Sequence, residues 1–120
     1  MNWKISLIVT ALLALTACSK TPTPVTETFS CNDGNRFTLT HTPRTLSPAT
    51  LSWQGQTYEM TPVKTKTGAE RFEHPSGITY IGAANTSMLI DRIKGKLIVQ
   101  DCRNPTQEKA ELQQNKLLKP

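Results

Sequence analysis

A chain of 120 residues that is 37% hydrophobic and only 6% aromatic has room for one small domain and not for a large core. Its formal charge of +5 comes from 14 basic and 9 acidic side chains, with the basic ones scattered along the chain rather than gathered into a run. That pattern describes a solvated surface with some attraction to anionic partners, and without a recognisable nucleic-acid module it argues against nucleic acid as a partner.

Residues 1–17 read as an export signal. Asn2-Trp3-Lys4 carries one positive charge, and ISLIVTALLALTA follows as an apolar run that ends in small residues. The run is shorter than the about 20 apolar residues of a spanning helix, so cleavage after export is expected. Leu15-Thr16-Ala17-Cys18 then resembles a bacterial lipobox, the signal at which a cysteine thiol receives a diacylglyceryl group. The preceding bond is then cut and the new amino terminus is acylated, for instance with palmitate. The resemblance implies that Cys18 is a lipid anchor, and several acyl chains on one residue hold a protein stably at a bilayer. Ser19, where an aspartate could stand, resembles the outer-membrane sorting pattern of enterobacteria-like Gram-negative cells. The expected location is the outer membrane, at its periplasmic face or the cell surface. Loss of residues 1–17 removes Lys4 alone, leaving 13 basic against 9 acidic side chains, a charge of +4.

Residues 18–27 continue as a tether, with Pro22 and Pro24 among threonines. Folded structure is expected from Thr28 to 103. FTLTHT at 37–42 and TLSWQ at 50–54 alternate apolar and polar residues, and QTYEM at 56–60 completes a hairpin turning at Gln54-Gly55. Further strand candidates are VKT at 63–65, ERFEH at 70–74, ITYI at 78–81, SMLI at 87–90 and LIVQDC at 97–102. Asn32-Asp33-Gly34, Thr67-Gly68, Pro75-Ser76-Gly77 and Lys94-Gly95-Lys96 separate them. Many short strands with tight turns make the chain all-β, an antiparallel barrel or small sandwich. Phe37, Leu39, Leu51, Trp53, Tyr58, Leu97 and Val99 are the expected core. Residues 104–120 form a helical or disordered tail: Asn104 can cap, Pro105 suits the first helical position and Gln107 the third, giving a helix over 105–118 with too few apolar positions to guarantee docking.

Cys31 and Cys102 lie near the two ends of the folded region, and neither belongs to a close Cys/His cluster. In an oxidising compartment they argue for one disulfide and for no metal or other cofactor. Closing that loop contributes about 4 kcal/mol in the chain-entropy account. Catalytic patterns are missing: His41 and His74 sit in strand candidates and neither falls into a close metal-ligand pattern with cysteines or acids, no nucleophile elbow occurs, and Glu70 and Glu73 at odd spacing face opposite ways. A small tethered scaffold with prominent loops binds rather than transforms, so no enzymatic activity is expected.

The run FSCNDGNRFTLTHT, the strand ATLSWQGQTYEM, the loop VKTKTGAERF, the strand ITYI and the closing LIVQDC together resemble the family of membrane-bound inhibitors of C-type lysozyme, over Thr28 to Cys102. The resemblance implies a small eight-stranded antiparallel barrel with one disulfide, whose loop residues enter the lysozyme cleft near its two acids. It implies that Thr67, Gly68 and Ala69 stand for the family's Ser-Gly-Ala turn, that Arg71 with Phe72 stands for its basic-aromatic ending, and that Tyr80 is the aromatic of a later segment. The family's lysine does not follow Tyr80 in this sequence. The barrel also resembles the neisserial adhesin complex protein family, which supplies the alternative of a non-inhibitory surface adhesin or envelope assembly module. A homodimer through an exposed strand face fits either reading.

Overall fold

The computed structural model describes residues 22–118. Residues 1–21, which hold the expected export signal, the expected lipidation site Cys18 and the first residues of the expected tether, lie outside the described residues, as do 119 and 120.

Eight strands follow in chain order: β1 (Val25–Ser30), β2 (Arg36–His41), β3 (Ala49–Trp53), β4 (Gln56–Pro62), β5 (Glu70–Glu73), β6 (Ile78–Gly82), β7 (Ser87–Asp91) and β8 (Lys96–Cys102). One helix, α1 (Pro105–Leu118), ends the fold. Every strand pairs antiparallel with the next, in spatial order β1 to β8, so the sheet is an up-and-down barrel. It is nearly closed. Where β8 returns to β1, Ser30 and Arg103 exchange both backbone hydrogen bonds, at 2.9 and 3.0 Å. One rung further on, Cys31 and Cys102 face each other as the next cross-strand pair. Such non-hydrogen-bonded pairs bring their Cα atoms closest, and here the two cysteines are joined in a disulfide.

β1 begins at Val25, earlier than the Thr28 expected from sequence, because Val25 already pairs with His41. VKT at 63–65 is a loop; a single hydrogen bond, Val63 N–H to Arg71 O at 2.9 Å, marks where β4 and β5 separate. The turn at 54–55 has both residues at positive φ, 48° for Gln54 and 75° for Gly55, the primed turn whose twist suits a two-residue hairpin.

Inside the barrel, Phe29 stacks on Phe37 at 4.8 Å between ring centroids, with Tyr80 edge-on to both and Phe72 beside it. Leu39, Leu51, Met60 and Leu89 fill the remainder. Five residues of the expected core are buried, and Tyr58 is half-buried against it. Leu97 is not in the core; it is 51% exposed. Leu89 pairs with Val99 but Ile90 with Leu97, so β8 carries an extra residue between them, and a bulge of this kind breaks the two-residue alternation. A second irregularity follows toward Ser87–Cys102, where Asp101 takes φ 54°. Both bulges blunt the edge of β8 that β1 leaves uncovered.

Because each strand reverses the one before it, the connections form two sets. Tight turns at 31–35, 54–55, 74–77 and 92–95 close one end. The other end carries the longer connections at 42–48, 63–69 and 83–86, the start of β1 and the first turn of α1. The tail is therefore a docked helix rather than a loose segment. Asn104 and Gln107 cap it reciprocally, with Gln107 N–H to Asn104 Oδ1 at 2.8 Å and Asn104 N–H to Gln107 Oε1 at 3.1 Å. Gln107 is its one buried residue, and Leu112, Leu117 and Leu118 stay exposed.

Candidate functional site

The open end of the barrel carries the chemistry. Its interior wall consists of inward-facing residues near the strand ends: Glu27 of β1, His41 of β2, Glu70 of β5, and Tyr80 and Gly82 of β6. They line a mouth of about 370 Å³, bordered by Gln107 from α1. His41 is 5% exposed and its Nε2 donates to Glu27 Oε2 at 2.9 Å. This gives Nε2 its partner, and among the described residues no three His, Cys or acidic side chains are placed to hold a metal ion. Tyr80 lies across Gly82, where a Cβ would come within 2.8 Å of its ring carbon Cζ and collide with its hydroxyl. The hydroxyl hydrogen-bonds Ser87 Oγ at 3.1 Å, and Gln107 Nε2 donates to Ser87 Oγ and to Ala83 O, each at 2.8 Å. Burial pushes the Tyr80 pKa well above the ordinary tyrosine value; the Ser87 bond opposes that rise, and the carboxylates of Glu70 and Glu27 add to it.

On the rim stands the connection 63–69. Thr65 Oγ1 donates to Ala69 O at 2.6 Å and Ala69 N–H meets Thr67 Oγ1 at 3.4 Å, which folds the tip back on itself. Gly68 takes φ 79° at the turn, with no atom near its absent side chain. Thr67 and Gly68 are exposed and Ala69 half-buried. Between this loop and the connection 42–48 runs a groove of about 310 Å³, lined by Arg44, Leu46, Lys64, Ala69, Glu70 and Arg71 among others.

Of the residues picked out by sequence, Thr67, Gly68 and Ala69 share one exposed tip, and Arg71 lies beside it on the outer face of β5. Arg71 is already engaged: its Nε donates to Glu73 Oε2 at 3.1 Å, while Arg92 takes the other Glu73 oxygen at 3.1 Å. Glu70 points to the opposite, inner face, so it does not stand against Arg71 as their adjacency in sequence suggests. Tyr80 is 2% exposed and belongs to the barrel interior, not to the rim. The sequence pattern does not single out Arg44, and it places Lys64 and Lys66 among the scattered solvated cations. All three are exposed on the rim, and none takes part in the ion pairs among the described residues. Lysines alternating with threonines ahead of a Thr-Gly turn were the available signal.

No known protein family, no curated protein and no solved structure matches the chain.

Proposed function

We propose that the chain is a lipid-anchored inhibitor of C-type lysozyme, held at the outer membrane through Cys18 and acting by inserting the 63–69 loop into the enzyme's cleft. The observation that carries this reading is the exposed Thr67-Gly68 tip beside Lys66, a cation without an ion-pair partner among the described residues. A cleft that holds two carboxylates rewards a cation brought between them with charge-assisted hydrogen bonds, each worth about 1.5–3 kcal/mol. Lys66 is better placed for that role than Arg71, which would first have to leave Glu73. The test is titration of the disulfide-intact chain into a lysozyme assay on bacterial cell walls. Inhibition saturating near one-to-one supports the reading, and unchanged lysis by the folded protein at micromolar concentration sinks it.

A second reading, a non-inhibitory surface adhesin or envelope module, draws support from where the loop sits. Pro22 and Thr23 line one open pocket with Pro43, Arg44 and Thr45, so the segment ahead of β1 leaves from the same end as the loop. Residues 18–24 fully extended reach about 25 Å, whereas a globule of about 100 residues is about 34 Å across. An enzyme seated on the open end therefore requires the barrel to lie on its side. Binding of the folded chain to host cells or envelope components, without any effect on lysozyme, would favour this second reading.

A further inference from the structure

We propose that the open end of the barrel is a docking surface for an anionic phospholipid bilayer, which seats the domain rim-down on the membrane. The inference rests on the lipid-anchor part of the reading above and not on lysozyme inhibition: rim-down, the 63–69 loop faces the bilayer, so membrane and lysozyme compete for it.

The tether sets the orientation. At Pro22 and Thr23 it borders a pocket that Arg44 also lines, at the start of β1. From Cys18 to Pro22 the chain spans at most about 14 Å, so the end carrying the connections 42–48 and 63–69 is the one nearest the acyl chains.

What the rim presents suits that neighbour. Arg44, Lys64 and Lys66 are exposed and absent from the ion pairs among the described residues. Leu46 is 67% exposed in the same connection as Arg44, and Val25 is 38% exposed at the start of β1. Apolar side chains set among cations match a bilayer interface, with the cations at the phosphates and the alkyl groups at the acyl boundary. Arg44 also sits at φ 62°, a left-handed conformation that a non-glycine residue adopts at a cost. Arg44 and Lys64 line the groove of about 310 Å³ between the two loops against the single carboxylate of Glu70, with Arg71 there already neutralised by Glu73, so an anionic headgroup is favoured over a zwitterionic one.

A rival lies at the far end, where Ile93 is 67% exposed and Leu97 51%, next to Lys94 and Lys96. It shares the chemistry but stands about 20 Å away along the strands, beyond the about 8 Å Debye length at physiological salt. This makes it an internal control.

The test uses the chain from residue 18 carrying Cys18→Ser, which cannot be acylated. It is sedimented with vesicles of phosphatidylglycerol in phosphatidylcholine, and with phosphatidylcholine alone, at 0.15 M salt as set for about an 8 Å Debye length. Binding is expected to the anionic vesicles only, and to weaken as salt is raised. A cation at an anionic surface raises partitioning about fivefold, so Arg44→Gln, Lys64→Gln and Lys66→Gln together should lower it about a hundredfold. Leu46→Ser should lower it several-fold, and Lys94→Gln with Lys96→Gln should leave it unchanged. If the triple variant does not fold, Lys66→Gln alone and vesicle protection of rim amides in hydrogen exchange carry the same test. No binding by the folded chain, or loss on the Lys94/Lys96 change with none on the rim change, overturns the proposal. Acylation of Cys18 is read separately, from the mass of the amino-terminal peptide of the full chain. Vesicle binding without acylation sinks the anchor and keeps the docking surface, and acylation without vesicle binding sinks the docking surface alone.

Discussion

Replacing Gln107 by alanine should release α1 while leaving the barrel folded. The side chain accepts from Asn104 N–H at 3.1 Å and donates to Ala83 O and Ser87 Oγ, each at 2.8 Å. At about 1 kcal/mol net for each bond, the truncation removes about 3 kcal/mol in all, about 2 of docking to Ala83 and Ser87 and about 1 of capping at Asn104. What remains is the Arg103–Glu111 ion pair and the hydrogen bond from Asn85 to Gln114 at 3.3 Å, each part-exposed and worth about 0–1 kcal/mol. A helix of 14 residues is marginal in water without tertiary support, so the loss outweighs the contacts that are left. The expected result is a fall in helical far-UV dichroism at 25 °C and loss of amide protection over 105–118, with the β-sheet melting nearly unchanged. Gln107→Glu should be intermediate, since a carboxylate still accepts from Asn104 N–H but cannot donate to Ala83 O. Unchanged helix signal and protection in both variants would refute the claim that this one buried side chain docks the helix.

Joint replacement of Cys31 and Cys102 by serine should lower stability by about 4 kcal/mol, and thermal melting of the oxidised and variant proteins at one concentration checks it; equal midpoints would remove the disulfide from the account. The raised pKa of Tyr80 gives a pH dependence whose sign follows from linkage. Above about pH 10 the unfolded chain ionises this tyrosine while the folded chain holds its proton, so stability falls by up to about 1.4 kcal/mol per pH unit. Denaturant midpoints between about pH 9 and 11.5 should drop less in Tyr80→Phe than in the parent, and parallel curves would count against it. In the lysozyme assay Lys66→Ala should raise the inhibition constant about 10- to 100-fold, with Thr67→Ala weaker and Arg71→Ala weakest because Glu73 holds that guanidinium. An Arg71 effect larger than that of Lys66 would reverse the assignment.

Where local pattern and tertiary outcome agree, the reason is short-range. Gln54-Gly55 forms the turn because two adjacent positive-φ positions favour a glycine there. Asn104, Pro105 and Gln107 begin the helix because capping is decided within one turn. Leu97 departed from its expected place because a bulge is a property of two strands and leaves no mark in the alternation of one. Arg71 looked available beside Glu70, yet its partner is Glu73 two residues on, on the same face of β5. Tyr80 looked like a contact residue; the barrel turns it inward, onto Gly82 and toward Ser87.

By itself the sequence determined the class of the fold: short alternating strands broken by turn residues, two cysteines far apart in the chain and a cappable tail, each set by chemistry within a few residues. Only the tertiary structure decided what those pieces present together. Closure at Ser30 and Arg103 sets Cys31 against Cys102. The even and odd connections are sorted to opposite ends, so Arg44, Lys64 and Lys66 share one rim with Pro22 and Thr23, the first of the described residues. Which residues share an end depends on the direction and order of all eight strands, and no local stretch encodes that.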